Sequence, residues 1–238
     1  GFKGDVVTSQ KNVNLTKPLC EKVTAVGHAN GFDTWVITQK WNTNDFYVYL
    51  ITNEGVNETP IISTTGTVIG GGIDNAKGYM KVSPDGTTIA KGNAGLRMVE
   101  IFDFDNETGI VSNGYLDASM GGEPYGIEFS PNNRFLYVNT WKSYPGQVLY
   151  QYDLEAGSHN EIIASRKTIG GGANGALQLG PDNRIYVASA QSGYLGVINF
   201  PNSLGSACNY VAGALYLDGR QSMWGLPPFV QSFFSFNA

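Results

Sequence analysis

The segment GYMKVSPDG at residues 78–86 recurs along the chain and decides its fold. Its related copies are YGIEFSPNN (125–133), GALQLGPDN (175–183), the diverged KVTAVGHANG (22–31) and the partial WGLPPFVQSFF (224–234). The turn prolines of the three clear copies, Pro84, Pro131 and Pro181, are 47 and 50 residues apart. A period of this size predicts a repeat architecture in which each copy forms one structural unit.

Each unit reads as four strands. Ser83-Pro84-Asp85-Gly86 has the residue preferences of a type I turn. Apolar segments then follow in pairs: TTIAKG with RMVEIFDFD, RFLYVNTW with GQVLYQYDL, and RIYVAS with YLGVINF. A fourth, less regular strand completes each unit. Four strands in about 50 residues without a helix are typical of a β-propeller blade.

We therefore predict an all-β propeller of four-stranded blades, with about five blades represented. The predicted blades are 21–69, 70–119, 120–170 and 171–218, with partial blades at 1–20 and 219–238. Within the partial blades we expect an outer strand at 4–15 and an innermost strand at 225–235. The IGGG tetrads at 69–72 and 169–172 are interpreted as connectors, because a phosphate-binding loop should open a helix.

Composition limits the function classes. Charged residues make up 15% of the chain, against roughly 25% in an average soluble protein. The net charge of −5 gives no reason to expect nucleic acid or an anionic membrane as partner. No apolar run approaches the roughly 20 residues that span a bilayer, so we expect no membrane span.

The first strand of each blade should line the central channel. Its residues alternate between two faces, so we expect six apolar residues to pack between blades: Met80, Val82, Ile127, Phe129, Leu177 and Leu179. The intervening positions hold Lys81, Glu128 and Gln178. We interpret these three as channel wall, and a ligand site is the alternative.

Aromatic residues supply the candidate binding site. Trp41 and Trp141 follow second strands directly, and Tyr144 is close to Trp141. Exposed aromatic side chains at one rim can contact a sugar or a protein. We predict Trp41, Trp141 and Tyr144 as ligand contacts, and packing between blades is the alternative.

The sequence contains few candidate catalytic or metal-binding residues. His28 and His159 lack a metal-ligand partner at i+2 or i+4, and no GxSxG motif is present. We expect no cofactor; a calcium site at the turn FDFDNETG (102–109) is the alternative. Cys20 and Cys208 should lie at the entries to different blades without forming a disulfide. Only Lys81 and Glu128 converge as an acid–base pair.

Several segments resemble one propeller family. SPNN followed by RFLYVNTW is similar to the YVTN-type repeat, and EIFDFDNETGIVSN, LGVINFPNSLGSACNY and GLPPFVQSFF follow in the order of a propeller family of large secreted surface proteins of Bacteroidota. Such proteins carry PKD-type and gliding-motility-associated C-terminal domains for type IX secretion. The resemblance implies a seven-bladed ring, truncated here at the N-terminus, and an extracellular or cell-surface location.

Three functions stay open. The sequence favours a non-enzymatic recognition, adhesion or assembly module with a protein or glycan partner. A lactonase-like hydrolase and a structural spacer in a surface fibre are the alternatives. We also expect either a companion polypeptide that completes the ring or an open gap.

Overall fold

Four antiparallel sheets follow one another along the chain in the computed structural model, which describes residue 8 and residues 11–143, 146–230 and 232–233. Sheet 1 contains β1 (Leu19–Gly27), β2 (Thr34–Lys40), β3 (Thr43–Thr52), β4 (Gly55–Val56) and β5 (Ile61–Ile69), with both β4 and β5 paired to β3. Sheet 2 contains, in order, β6 (Met80–Val82), β7 (Thr88–Asn93), β8 (Met98–Asp105) and β9 (Ile110–Asp117).

The other two sheets repeat the same up-and-down order. Sheet 3 contains β10 (Gly122–Phe129), β11 (Phe135–Ser143), β12 (Val148–Asp153) and β13 (Lys167–Gly171). Sheet 4 contains β14 (Leu177–Leu179), β15 (Ile185–Val187), β16 (Tyr194–Ile198) and β17 (Tyr210–Tyr216). The first strands β1, β6, β10 and β14 contact each other in that order.

The repeated turn has the predicted position and a shared conformation. Its fourth residue donates a backbone hydrogen bond to the carbonyl of its first residue at Ser83–Gly86 (2.9 Å), Ser130–Asn133 (2.9 Å) and Gly180–Asn183 (3.1 Å). The fourth residue has φ 75°, 66° and 61° in the three copies. Only Gly, and after it Asn or Asp, adopts this left-handed region at little energetic cost. The Gly or Asn at this place is therefore dictated by the turn.

Apolar side chains pack between neighbouring sheets, as the alternation in the first strands predicted. Residues of the first strands are buried in each of the three interfaces: Met80 and Val82 between sheets 1 and 2, Ile127 and Phe129 between sheets 2 and 3, and Leu177 and Leu179 between sheets 3 and 4. Consecutive antiparallel sheets, three of four strands and one with an additional short strand, pack face to face and confirm the predicted all-β propeller fold. The blade boundaries and the seven-bladed ring stay predictions.

Both IGGG tetrads lie where an outermost strand ends, so they connect sheets as predicted. Gly71 and Gly172 adopt φ 82° and 87° there. The expectation that no helix follows either tetrad needs one correction. A single-turn 3₁₀ helix, Ile73–Ala76, follows the first tetrad, but four residues do not make the longer helix that a phosphate loop opens.

The prediction of blades without a helix was wrong for sheet 3. A six-residue helix, α1 (His159–Ala164), lies between β12 and β13. It starts with a capping box: the backbone N–H and the hydroxyl of Ser158 both donate to the Glu161 carboxylate at 2.7 Å. The signal S-x-x-E was present in the sequence. No helix among the described residues is long and apolar enough to cross a membrane.

The two predicted terminal strands were wrong where the structure describes them. Residues 11–15 form a turn and irregular backbone, with Asn12 at φ 61°, a conformation outside the β region. Residues 225–230 also form no regular strand. Pro227 and Pro228 lack the N–H donors that a ladder uses. The rest of both predictions lies mostly outside the described residues.

Candidate functional site

The three polar residues of the first strands meet where β10 contacts both β6 and β14. The Lys81 ammonium donates to Glu128 Oε2 at 3.1 Å and to Gln178 Oε1 at 2.8 Å. Glu128 also accepts the backbone N–H groups of Phe129 and Leu179, both at 2.9 Å. All three side chains are buried. The register therefore brings together residues 97 positions apart, and their polar atoms are used in bonding one another.

A second buried polar network lies between sheets 1 and 2. The Lys91 ammonium bonds Glu100 Oε2 at 2.9 Å and Gln39 Oε1 at 2.9 Å, and it lies 5.1 Å and 5.2 Å from the ring centroids of Phe46 and Phe102. Burial lowers the pKa of Lys91 despite its carboxylate partner. This network joins the two sheets and has the features of a structural ion pair.

Lys22 on β1 is held differently. Its buried ammonium donates to the carbonyl oxygens of Ala76 (2.7 Å) and Asn75 (3.4 Å), which belong to the 3₁₀ turn after the first glycine tetrad. Burial lowers its pKa to about 8. A lysine with this pKa can exchange a proton near neutral pH.

Four aromatic rings form a cluster at the edge where first strands begin and second strands end. We call Tyr79, Tyr125, Trp141 and Trp224 the aromatic cluster. Trp141 and Trp224 contact edge to face, with centroids 4.7 Å apart. Tyr125 lies 5.5 Å from Tyr79, 6.2 Å from Trp141 and 6.1 Å from Trp224. All four residues are half-buried, so part of this aromatic surface faces solvent.

Two lysines border the aromatic cluster. The ammonium groups of Lys77 and Lys142 lie 4.6 Å and 4.2 Å from the centroid of the Trp141 ring. Lys77 also pairs with Asp74, and Lys142 lies 3.8 Å from Glu123. The edge thus combines aromatic faces with charged groups of both signs, which is the composition of a recognition surface.

Two cavities adjoin the aromatic cluster. One of about 240 Å³ is lined by Glu21, Lys22, Tyr79, Tyr125 and Leu226, among others. A second of about 310 Å³ is lined mainly by apolar residues of β1, the start of sheet 2 and residues 228–230. Burial raises the pKa of both tyrosines, so these hydroxyls stay protonated and can donate or accept hydrogen bonds.

The three predicted ligand contacts, Trp41, Trp141 and Tyr144, do not lie together in the described structure. Trp141 lies within the aromatic cluster, half-buried and accessible. Trp41 lies at the same strand end in sheet 1, also half-buried, with its backbone N–H donating to the Pro18 carbonyl at 3.0 Å. The rings that contact Trp141 in the described part of the chain do not include Trp41. Tyr144 lies outside the described residues.

Sequence reasoning missed Tyr79, Tyr125 and Trp224 as site residues. A signal was present, because aromatic residues stand just ahead of the apolar pair in three copies, GYMKV, YGIEF and WGLPP. Their convergence depends on how neighbouring sheets are offset, which the repeat alignment does not give.

The histidines, cysteines and acidic turn hold structural positions. His28 stacks on Trp35 (5.0 Å) and His159 on Tyr115 (3.8 Å). Asp105 accepts the backbone N–H of Glu107 and the hydroxyl of Thr108, which makes FDFDNETG a hairpin turn. Both cysteines are buried thiols. The expected blade-entry position was wrong for Cys208, which ends a 3₁₀ helix ahead of β17. No cluster of three metal-ligating side chains occurs among the described residues.

Comparisons with known proteins support the fold. The chain is similar to the periplasmic gluconolactonase of Pseudomonas aeruginosa, with a TM-score of 0.51 and 14% identity over 87% of this chain and 58% of that one. It is also similar to a chain of a nidogen/laminin complex, with a TM-score of 0.51 and 11% identity over 83% of this chain and 66% of that one. The chain thus spans less than two thirds of either. No family model and none of the curated proteins matches it.

Proposed function

We propose that this propeller is a non-enzymatic recognition module that binds a glycan through the aromatic cluster. One observation carries the proposal: the half-buried rings of Trp141 and Trp224 contact edge to face at 4.7 Å, with two lysine ammonium groups beside Trp141. Aromatic faces bind the apolar faces of sugar rings, and nearby polar groups bind hydroxyl groups. A protein partner at the same cluster is the alternative ligand.

We further propose an extracellular or cell-surface setting for this binding. The support is the resemblance of the repeats to the YVTN-like propellers of Bacteroidota surface proteins that use type IX secretion. In such a protein, the module would serve adhesion or assembly during gliding. We expect binding to need no cofactor, so chelation with EDTA should leave the affinity unchanged.

A glycan array followed by calorimetry tests the proposal. Trp141→Ala should weaken binding of the best array ligand by more than about 1 kcal/mol, the usual threshold for a binding hot spot. Trp41→Ala is the matched control: Trp41 directly follows the second strand of sheet 1, whereas Trp141 lies near the end of the second strand of sheet 3, and the two rings lie apart. Equal loss in both variants, or in neither, would contradict the assignment.

A lactone hydrolase is the second candidate. It is favoured by a cavity of about 240 Å³ that brings Glu21 and Lys22 next to Tyr79, with the pKa of Lys22 lowered to about 8. The likeness to a gluconolactonase adds only a shared fold, which does not fix activity. Hydrolysis of glucono-δ-lactone that is lost in Lys22→Met but kept in Trp141→Ala would favour this candidate. With neither binding nor turnover, the structural spacer becomes the better account.

A further inference from the structure

Among the described residues, three lysines are buried, and Lys22 is held differently from the other two. Lys81 and Lys91 each pair with a carboxylate, at 3.1 Å and 2.9 Å. The described hydrogen-bond partners of the Lys22 ammonium are two backbone carbonyl oxygens, of Ala76 at 2.7 Å and of Asn75 at 3.4 Å. A carboxylate favours the charged form of a lysine, whereas a carbonyl oxygen accepts a hydrogen bond from the ammonium and from the neutral amine alike.

The two carbonyl contacts suit the neutral form of the Lys22 amine. An ammonium has three N–H donors, and the neutral amine has two together with a lone pair. Both donors of the neutral amine can keep their carbonyl partners, so the lone pair takes the third position, which no hydrogen bond in the described part of the chain uses. Burial and, to a lesser extent, Lys91 lower the pKa of Lys22 to about 8, against opposing effects of Cys20, Glu21 and Glu100. Roughly a tenth of Lys22 is therefore neutral at pH 7.

Lys22 also lies on the wall of a cavity, the one of about 240 Å³ beside the aromatic cluster. Tyr79 and Tyr125 line the same cavity, together with apolar residues such as Met80 and Leu226. The volume far exceeds the roughly 10–15 Å³ that one water molecule needs, so a small organic molecule fits. Two protonated tyrosine hydroxyls beside apolar side chains suit a ligand that carries hydroxyl groups.

We propose that Lys22 is the amine of a covalent site that takes up a small hydroxyaldehyde as an imine. The lone pair of Lys22 Nζ attacks the aldehyde carbon, the carbonyl oxygen gains a proton to become a hydroxyl group, and the nitrogen loses one. That hydroxyl group then leaves as water with the remaining proton of the nitrogen, and a C=N bond joins Nζ to the former aldehyde carbon. No atom is oxidised or reduced, so the step needs no further reactant.

The imine site does not depend on the glycan-binding proposal. The cavity shares Tyr79 and Tyr125 with the aromatic cluster, but the new bond forms at Lys22, which lies outside the cluster. Trp141→Ala should therefore abolish glycan binding and leave imine formation intact. Absence of glycan binding in the wild type would likewise leave the imine site standing.

Reductive trapping tests the imine site in the unmodified chain. The protein is incubated at pH 7 with glycolaldehyde and sodium cyanoborohydride, which reduces an imine to a stable secondary amine, and peptide mass spectrometry locates the product. Lys142, whose side chain is 58% exposed, is the internal control. Lys22 should be modified at least ~10-fold faster than Lys142, because a far larger fraction of it is neutral. Its rate should also saturate as the glycolaldehyde concentration rises, because the cavity fills.

Two variants identify the amine. Lys22→Met removes it, and Lys22→Arg keeps a positive charge but has no neutral form at this pH. The fast, saturating phase of total modification should vanish in each variant that keeps the unfolding midpoint of a folded chain. Its persistence in such a variant would overturn the proposal. So would equal rates at Lys22 and Lys142 in the wild type, or a rate at Lys22 that rises in proportion to glycolaldehyde without saturation, and these two readouts do not require that either variant folds.

Discussion

The polar cluster of the first strands, which we call the centre, and the aromatic cluster, which we call the edge, are built from nearly the same repeat positions, yet they offer opposite properties. Lys81, Glu128 and Gln178 are buried and bond one another. Tyr79 and Tyr125 lie two and three residues earlier in the same strands or just before them, and they open onto solvent with Trp141 and Trp224. The polar side chains of the centre bond one another, whereas the aromatic rings of the edge are partly accessible to a ligand. We therefore propose that the centre serves stability and the edge serves recognition.

The largest expected effect comes from breaking the centre. Glu128→Gln removes the carboxylate and leaves the Lys81 ammonium buried without an opposite charge. The free energy of unfolding should fall by about 3 kcal/mol or more, as in other broken buried pairs. Urea denaturation measures the change. The double variant Lys81→Met with Glu128→Gln should recover part of this loss, and a single-variant loss below about 1 kcal/mol would show that the pair is not structural.

Lys22 differs from Lys81, because its buried ammonium bonds carbonyl oxygens instead of a carboxylate. Its pKa is lowered from 10.5 to about 8 in the folded chain. Between these values the unfolded chain binds more protons, so stability must rise as pH increases from 8 to 10.5. Relative to Lys22→Met, the wild-type free energy of unfolding should gain on the order of 3 kcal/mol over this window. A flat difference between the two proteins across these pH values would refute the assignment.

Trp224→Ala tests the one member of the aromatic cluster that lies beyond the last sheet in the sequence. It removes the ring that contacts Trp141 while keeping the backbone carbonyl that bonds Ala176. Affinity for the array ligand should fall by about 1–2 kcal/mol, measured by calorimetry. Trp41→Ala should change it by less than about 0.5 kcal/mol, the range for surface changes away from a site.

The smallest expected effect comes from changing one of the two lysines beside Trp141. Lys142→Gln keeps a polar side chain, one bond shorter, but removes the ammonium above Trp141. We expect a loss of affinity of about 0.5 kcal/mol, typical of an exposed cation–π contact. Titration of intrinsic tryptophan fluorescence can resolve this change. A gain in affinity would mean that the lysine competes with the ligand for the ring.

The sequence predicts the centre better than the edge. The period of the repeats places Lys81, Glu128 and Gln178 at one register, and a register within a repeat is carried by the spacing alone. The edge depends on contacts that the repeat spacing does not give. Trp141 lies in β11 and contacts Tyr125 of the neighbouring strand β10 within sheet 3, but its contact with Trp224 involves a segment outside the four sheets. Trp41, with the same local signal, lies apart from them. The helix α1 was missed because its S-x-x-E signal lies in the part of the unit where only a less regular fourth strand was expected.

One calorimetric comparison distinguishes ligand contacts at the edge from ligand contacts at the centre. The same glycan is titrated into the wild type, into Trp141→Ala and into the double variant Lys81→Met with Glu128→Gln, each shown to be folded. We expect Trp141→Ala to lose more than about 1 kcal/mol of affinity and the double variant to bind like the wild type. Loss of binding in the double variant with full binding in Trp141→Ala would contradict it.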